Sequence, residues 1–454
     1  MKKIVTVLLL IAIAFTFVAC NDSGDSENEL LYDAYAPTDD GEFAPSSSVG
    51  GVSGIVYKNR ALLGEDAILP SGKYEDAYTE WTEDGGEEKK ITAGQITAKA
   101  WNDNDEYALW RGLFVEGSDN QAEGKFYSYS DGAWAYDTAR RVKITVTKGE
   151  TPVCGATIKY FDSNQNKSVV RTDAKGVAYL FPKEEEGSFT VTSGESSERV
   201  SFTKENRELT VDLAAAQEKS NLIKLMFVID ATGSMGDEMD YVAAELTDVV
   251  HRVAAQATGV KIELALLFYR DNGDNEKFAY HDFVTVSEEQ GLASQVKIIL
   301  DQSATGGGDT PEAVDEALLM GASKDWGTEN ATNLMVLVLD APPHGDESNR
   351  DTTFAALSKA AEKGIRICPV LCSGADNFCE YVTRLAALVT GGTSVFVTDD
   401  SGIGGAHLDP ELPDATVEKL NDLLVRLIVG YHTGDFGTPV AWDQGAGRQG
   451  QEQD

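Results

Sequence analysis

Leu225-Met226-Phe227-Val228-Ile229-Asp230-Ala231-Thr232-Gly233-Ser234-Met235 decides how this chain is read. Five apolar residues end in a carboxylate, and two hydroxyls follow at alternate positions. A continuous apolar run of this length reads as a strand buried on both faces, as in a parallel sheet. Asp230 then stands at the carboxyl end of that strand, the rim where open α/β sheets bind ligands. Asp230, Thr232 and Ser234 supply hard oxygen donors around one tight turn, a set suited to Mg²⁺ rather than to zinc or copper.

The flanking sequence repeats the pattern. Met235, Met239, Val242, Leu246, Val249 and Val253 recur at helical spacing and predict an amphipathic helix. Ile262 to Phe268 predicts a second strand, joined through Tyr269-Arg270-Asp271-Asn272-Gly273-Asp274 to a returning strand at Tyr280 to Val286. A helix over about Ser287 to Leu300 leads into Ala304-Thr305-Gly306-Gly307-Gly308-Asp309-Thr310-Pro311-Glu312, and Pro311 suits the first turn of the next helix. Asn333 to Leu339 is another apolar strand ending in a carboxylate, Asp340. Ile365 to Leu371 reads as a strand carrying Pro369, which favours a strand end or a sheet edge. Ser394 to Val397 and a helix over about Val417 to Val429 complete the series.

These residues resemble the von Willebrand factor type A family and its metal-ion-dependent adhesion site. The family motif D-x-[ST]-G-S falls on Asp230, Thr232, Gly233 and Ser234, and the resemblance covers roughly residues 220–432. It implies an α/β, doubly wound, Rossmann-like domain binding Mg²⁺, or Mn²⁺ or Ca²⁺ in its place. Through that ion it implies binding of an exposed Asp or Glu on a protein partner. Asp340 matches the family's last metal-site aspartate. The glycine-rich loop should also supply a threonine, but Gly308 stands where that threonine often lies. Asp309 and Thr310 are the favoured substitutes, with Thr305 the alternative. His344, alone after two prolines, reads as a loop residue rather than a ligand.

The remaining chain divides by composition. Its 454 residues exceed one ordinary domain. A net charge of −37 disfavours phosphate-backbone partners, so no nucleic-acid binding is expected. Lys2 and Lys3 precede an apolar run too short for a comfortable membrane span, and Phe17-Val18-Ala19-Cys20 resembles a bacterial lipobox. Residues 1–20 are thus expected to be a lipoprotein signal peptide, with Cys20 lipidated and the protein anchored at the cell envelope. Residues 21–50 hold no Lys or Arg and read as a disordered acidic tether. Residues 51–140 are β-rich and aromatic, with Trp101, Trp110, Tyr127, Tyr129 and Trp134 suited either to a small core or to sugar stacking. Residues 141–215 alternate like a β-sandwich, and Thr172-Asp173-Ala174-Lys175-Gly176 resembles a turn of immunoglobulin-like or carboxypeptidase-regulatory-like modules, which usually act as spacers. Asp162, Asn164 and Asn166 sit in a hairpin turn rather than a calcium loop, because Lys167 replaces the required glycine. Residues 433–454 are a flexible tail. Cys372 and Cys379 are either a disulfide or buried thiols.

No enzyme is expected. A haloacid-dehalogenase phosphatase would need an aspartate at Thr232, and a nucleophile elbow would need a glycine there. The sequence therefore points to a cell-envelope lipoprotein that binds a protein partner through a metal site, in adhesion or assembly. A structural protein whose ion only stabilises the fold is the alternative, and a metal-dependent hydrolase a weaker one.

Overall fold

A computed structural model describes residues 78–80, 89–116, 124–256, 259–308, 310–410 and 412–443. All fall within one compact unit, Ile55–Asp454. The signal segment with Cys20, the acidic tether, Asp309 and the tail beyond residue 443 lie outside the described residues.

The main sheet has eight strands, numbered in chain order: β1 Thr97–Trp101, β2 Leu222–Asp230, β3 Lys261–Tyr269, β4 Phe278–Thr285, β5 Thr332–Leu339, β6 Ile365–Leu371, β7 Ser394–Val397 and β8 Val417–Lys419. Their spatial order is β4-β3-β2-β5-β6-β7-β1-β8. Strands β3, β2, β5, β6, β7 and β8 point the same way; β4 and β1 run antiparallel to them. Every residue of β2, β5 and β6 is buried, which explains their unbroken apolar runs.

Six helices flank the sheet: α1 Met239–Gln256, α2 Glu289–Leu300, α3 Val314–Ser323, α4 Glu347–Lys363, α5 Asn377–Thr390 and α6 Leu420–Thr433. One apolar cluster packs α1 and α6 on one face, and a second packs α3, α4 and α5 on the other. The doubly wound α/β fold read from the sequence is the fold observed. Three helix starts differ. The helix expected from about Val417 begins at Leu420, because Val417–Lys419 first pairs with β1 as β8. The chain after Pro311 becomes helical only at Val314, because Glu312 first bridges in parallel to Pro343. α4 starts at Glu347 because Asp346 caps it, accepting from the amides of Ser348 and Asn349 at 3.1 and 3.2 Å. Pro369 is not at an edge. It faces Leu337 of β5, and the pairing of β6 with β7 starts only at Val370.

Residues 142–212 form two packed four-stranded sheets with Ile144, Ile158, Phe189, Val191 and Phe202 between them. The Thr172–Gly176 turn is held from inside. Thr172 Oγ1 accepts from Ala156 N at 2.9 Å, and Asp173 Oδ1 accepts from Lys175 N and Val177 N at 2.9 and 2.8 Å. Asp162 closes its hairpin by accepting from the amides of Asn164 and Asn166.

The segment before this sandwich is not a separate body. β1 pairs with β7, about three hundred residues downstream, so residues 97–101 complete the main sheet. Trp110, Phe126 and Trp134 bury against α4 and α5, with Tyr129 stacked on Tyr381 at 4.5 Å. Tyr127 is exposed, whereas Trp101, Trp110 and Trp134 are core and Tyr129 packs against it. Arg384 of α5 ties them down, donating from Nε to Asp103 Oδ2 and from Nη1 to Glu380 Oε1, both at 2.9 Å.

Candidate metal centre

β2 and β5 are adjacent and parallel, with Ile229 level with Val338, so Asp230 and Asp340 leave the sheet at the same rim. Asp230 and Thr232 are wholly buried. One Asp230 oxygen, Oδ1, accepts from Thr232 N at 2.9 Å and from Thr232 Oγ1 at 2.7 Å. Ser234 Oγ lies 3.1 Å from Thr232 Oγ1, which threads the motif's oxygens into one chain. The other Asp230 oxygen, Oδ2, is buried without a close hydrogen-bond partner, and the buried Tyr269 hydroxyl is the protein group set toward the Asp230 carboxylate.

The glycine-rich loop is fastened beneath this turn. Thr305 N donates to Ala231 O at 2.9 Å, and Gly233 N to Gly306 O at 3.0 Å. Arg270 Nε donates to Thr305 O at 3.0 Å and Nη2 to Ser303 O at 3.3 Å. Asp274 Oδ2 accepts from Gly307 N at 2.9 Å. Gly307 permits a close approach, since a Cβ there would lie 2.9 Å from Glu312 Oε1 and 3.2 Å from Thr232 Cβ. Thr305 therefore serves the loop through its backbone.

These loops surround a cavity of about 400 Å³, lined by Ser234, Thr310, Glu312, Asp340 and the loop glycines. Its mouth is exposed at Ser234, Gly306 and Thr310. His344 stays out of the ligand set, with Nε2 2.8 Å from Asp271 Oδ1.

Glu312 was not singled out from the sequence. Beside Pro311 at a helix start, it reads as an acid favoured by the helix dipole. Yet it is 2% exposed, lines the cavity, and has Oε2 buried without a hydrogen-bond partner. A carboxylate four residues beyond the last loop glycine, Gly308, was the available signal.

The electrostatics mark a site short of positive charge. Burial first, then the Asp340 carboxylate, push Asp230 up to about 7. Burial first, then Asp230, Asp271, Asp340 and Asp274, push Glu312 up to about 9. Among the described residues no three His, Cys, Asp or Glu side chains gather at metal-ligand spacing. The donor set that fits an ion is thus mixed, with Asp230, Asp340 and Glu312 supplying carboxylates and Thr232, Ser234 and Thr310 hydroxyls. A hard dication fits this set, because it would satisfy the orphaned Asp230 oxygen and relieve the repulsion among the acids. Cys368, Cys372 and Cys379 are buried free thiols.

Comparison with known proteins finds a family match on the same stretch of chain. Residues 224–402 match the family profile of the von Willebrand factor type A domain. The alpha-protein kinase vwkA of Dictyostelium discoideum is 25% identical over 144 residues, covering 32% of this chain and 22% of that protein. The ariadne-like RING finger protein R811 of Acanthamoeba polyphaga mimivirus is 29% identical over 130 residues, covering 29% of this chain and 12% of that protein. The match thus spans only a small part of either relative. Among solved structures, the pilus adhesin SpaC of Lactobacillus rhamnosus GG in its open conformation aligns with a TM-score of 0.30 at 11% identity, over 51% of this chain and 36% of that one. The body that presents Asp230 and Asp340 thus has the doubly wound fold of a von Willebrand factor type A domain.

Proposed function

We propose that this protein binds a divalent cation, Mg²⁺ first and Mn²⁺ or Ca²⁺ in its place, at Asp230, Thr232, Ser234 and Asp340. Thr310 and Glu312 close the far side. Through that ion it captures an exposed Asp or Glu of a protein partner. The observation that carries this reading is the buried, unpartnered Oδ2 of Asp230 beside a cavity shared by Ser234 and Asp340. An unpaired buried carboxylate oxygen costs several kcal/mol, roughly, unless a counter-charge meets it. A partner carboxylate reaching the ion through the open mouth would add charge of the sign that such an ion attracts. The lipobox-like sequence ending at Cys20 supports a lipid-anchored place at the cell envelope, in adhesion or assembly.

The test uses the full chain immobilised in Mg²⁺ and challenged with envelope extract. A specific partner should be retained, be released by EDTA, and be lost with Asp230→Ala and Asp340→Ala. A partner held equally well in EDTA would leave the ion a stabilising role only. For localisation, Cys20→Ala should free the protein from the membrane fraction or leave an unprocessed precursor.

A further inference from the structure

We propose that Asp399–Asp409 is a strap latched over the edge of the candidate metal centre by the imidazolium of His407, and that loss of one proton unlatches it. This adds regulation to the site proposed above and depends on that reading for its consequence, but not for the existence of the latch.

The strap leaves the end of β7 and returns toward β8. Its His407 side chain is only 2% exposed and stands between two carboxylates. Nε2 lies 2.7 Å from Glu238 Oε1, and Nδ1 lies 2.7 Å from Asp399 Oδ1. A neutral imidazole carries one N–H, so one ring nitrogen would turn a lone pair toward a carboxylate oxygen. Only the imidazolium donates to both. The charges around the ring are consistent with this. Burial alone would lower the proton affinity of His407, but its bonds to Glu238 and Asp399 outweigh burial and raise it. Burial alone would raise Glu238, but its bonds to His407 and Ser373 hold it below the usual carboxylate range.

The groups facing the latch come from three places. Glu238 comes from the turn after β2, Asp399 from the strap itself, and Cys372 from the end of β6. The Cys372 thiol is held protonated by burial first and then by the Glu238 charge. Ile403 and Leu408 also pack the strap against the two apolar clusters. Gly374 N donates to Ala406 O at 3.1 Å, and Lys99 meets the exposed Asp409 at 3.1 Å. Gly404 has φ +80°, and a Cβ there would lie 2.1 Å from Glu238 Oε1, so the strap is shaped to seat on that carboxylate.

The seat belongs to the metal loop. Glu238 N donates to Met235 O at 3.2 Å, closing the helical turn Gly233–Asp237 that contains Ser234. Ser373 N donates to Glu238 Oε1 at 3.1 Å, and its neighbour Gly374 lines the same cavity as Ser234 and Asp340. A latched strap therefore fixes both the Ser234 turn and one side of the cavity mouth. Deprotonation frees them together.

The test of the latch is made in EDTA, so that no ion is involved. Amide exchange at Gly374, corrected for the intrinsic pH dependence, is followed from pH 5.5 to 8.5 beside the His407 ring titration. Protection should fall at least tenfold as His407 loses its proton. His407→Gln should be poorly protected throughout, and Glu238→Gln should lower the His407 midpoint. Equal Gly374 protection at both ends of the range, or an unchanged midpoint in Glu238→Gln, would overturn the latch. The link to the site is then read with Mn²⁺ at pH 6, where its dissociation should be several-fold faster from His407→Gln than from wild type. Equal rates would overturn the link. No Mn²⁺ binding by either protein would sink the metal site and with it the regulation, while the exchange result would still decide the latch.

Discussion

The carboxylate of Asp340 raises the proton affinity of Asp230 across the gap between two neighbouring parallel strands. Two like charges at one rim, one of them with an orphaned oxygen, destabilise the ion-free protein. The pH dependence of stability should therefore report on the site.

Asp230 is held up to about 7, above the ordinary carboxylate range of the unfolded chain. A group that binds its proton more tightly when folded contributes stability at low pH and loses it as pH rises through that interval. The ion-free protein should thus weaken by on the order of 1–3 kcal/mol between pH 5 and pH 8. The cation competes with that proton, so the rise in Tm caused by Mg²⁺ should be larger at pH 8 than at pH 5.5. Asp230→Asn should flatten both trends in thermal melts. An Mg²⁺ effect that Asp230→Asn leaves intact would place the cation elsewhere.

With Glu312 pushed up to about 9, the folded protein must hold a proton on it at pH 8 that the unfolded chain does not, whereas Glu312→Gln needs none. Without added metal it should raise Tm at pH 8. With metal it should shrink the Tm gain, because one donor to the ion is weakened. A variant that melts as wild type in both conditions would take Glu312 out of the site.

Ser234 is exposed at the cavity mouth, and Ser234→Ala should weaken metal binding without destabilising the ion-free fold. Surface substitutions away from the core usually change stability by about 0.5 kcal/mol or less. Calorimetric titration with Mn²⁺ beside a denaturant melt separates the two effects. A large loss of ion-free stability would assign Ser234 to the fold.

Glu245 of α1 accepts from the backbone amides of Gly94, Gln95 and Ile96 at 2.8, 2.8 and 3.0 Å. Glu245→Ala leaves three donors unmatched and should cost about 2–4 kcal/mol in urea unfolding. Arg384→Ala strands the fully buried Asp103 carboxylate, leaves Glu380 paired with Lys125 alone, and should cost about 3–5 kcal/mol. If either variant unfolded at the wild-type midpoint, the hold of residues 89–140 on the main sheet would have to lie elsewhere.

The parallel centre of the sheet was legible in the sequence because burial on both faces leaves a continuous apolar record, as in Leu225–Ile229 and Leu334–Leu339. Their terminal acids placed Asp230 and Asp340 without further help. The strand Thr97–Trp101 was not legible as part of that sheet. A short antiparallel strand carries no mark of its partners, and β7 lies beyond the whole sandwich in the chain. Glu312 was hidden for a different reason. A helix-start acid and a cavity acid have the same local sequence, and only the bridge from Glu312 to Pro343 separates them. His407 sits in a segment without periodicity, so its two carboxylate neighbours, one of them 169 residues away, could not be read.

The pairing of β1 with β7 changes what the sandwich can do mechanically. The sandwich lies in the chain between β1 and β2, both strands of one sheet, so it hangs from that sheet as a side branch. Tension between a tether upstream of Ile91 and a partner held at Asp230 would enter at the Glu245 grip and cross the sheet from β1 through β7, β6 and β5 to β2. That load path bypasses residues 142–212. The sandwich would be spared that tension only while β1 stays paired; once β1 is stripped, the chain between β1 and β2 would pass the load through it.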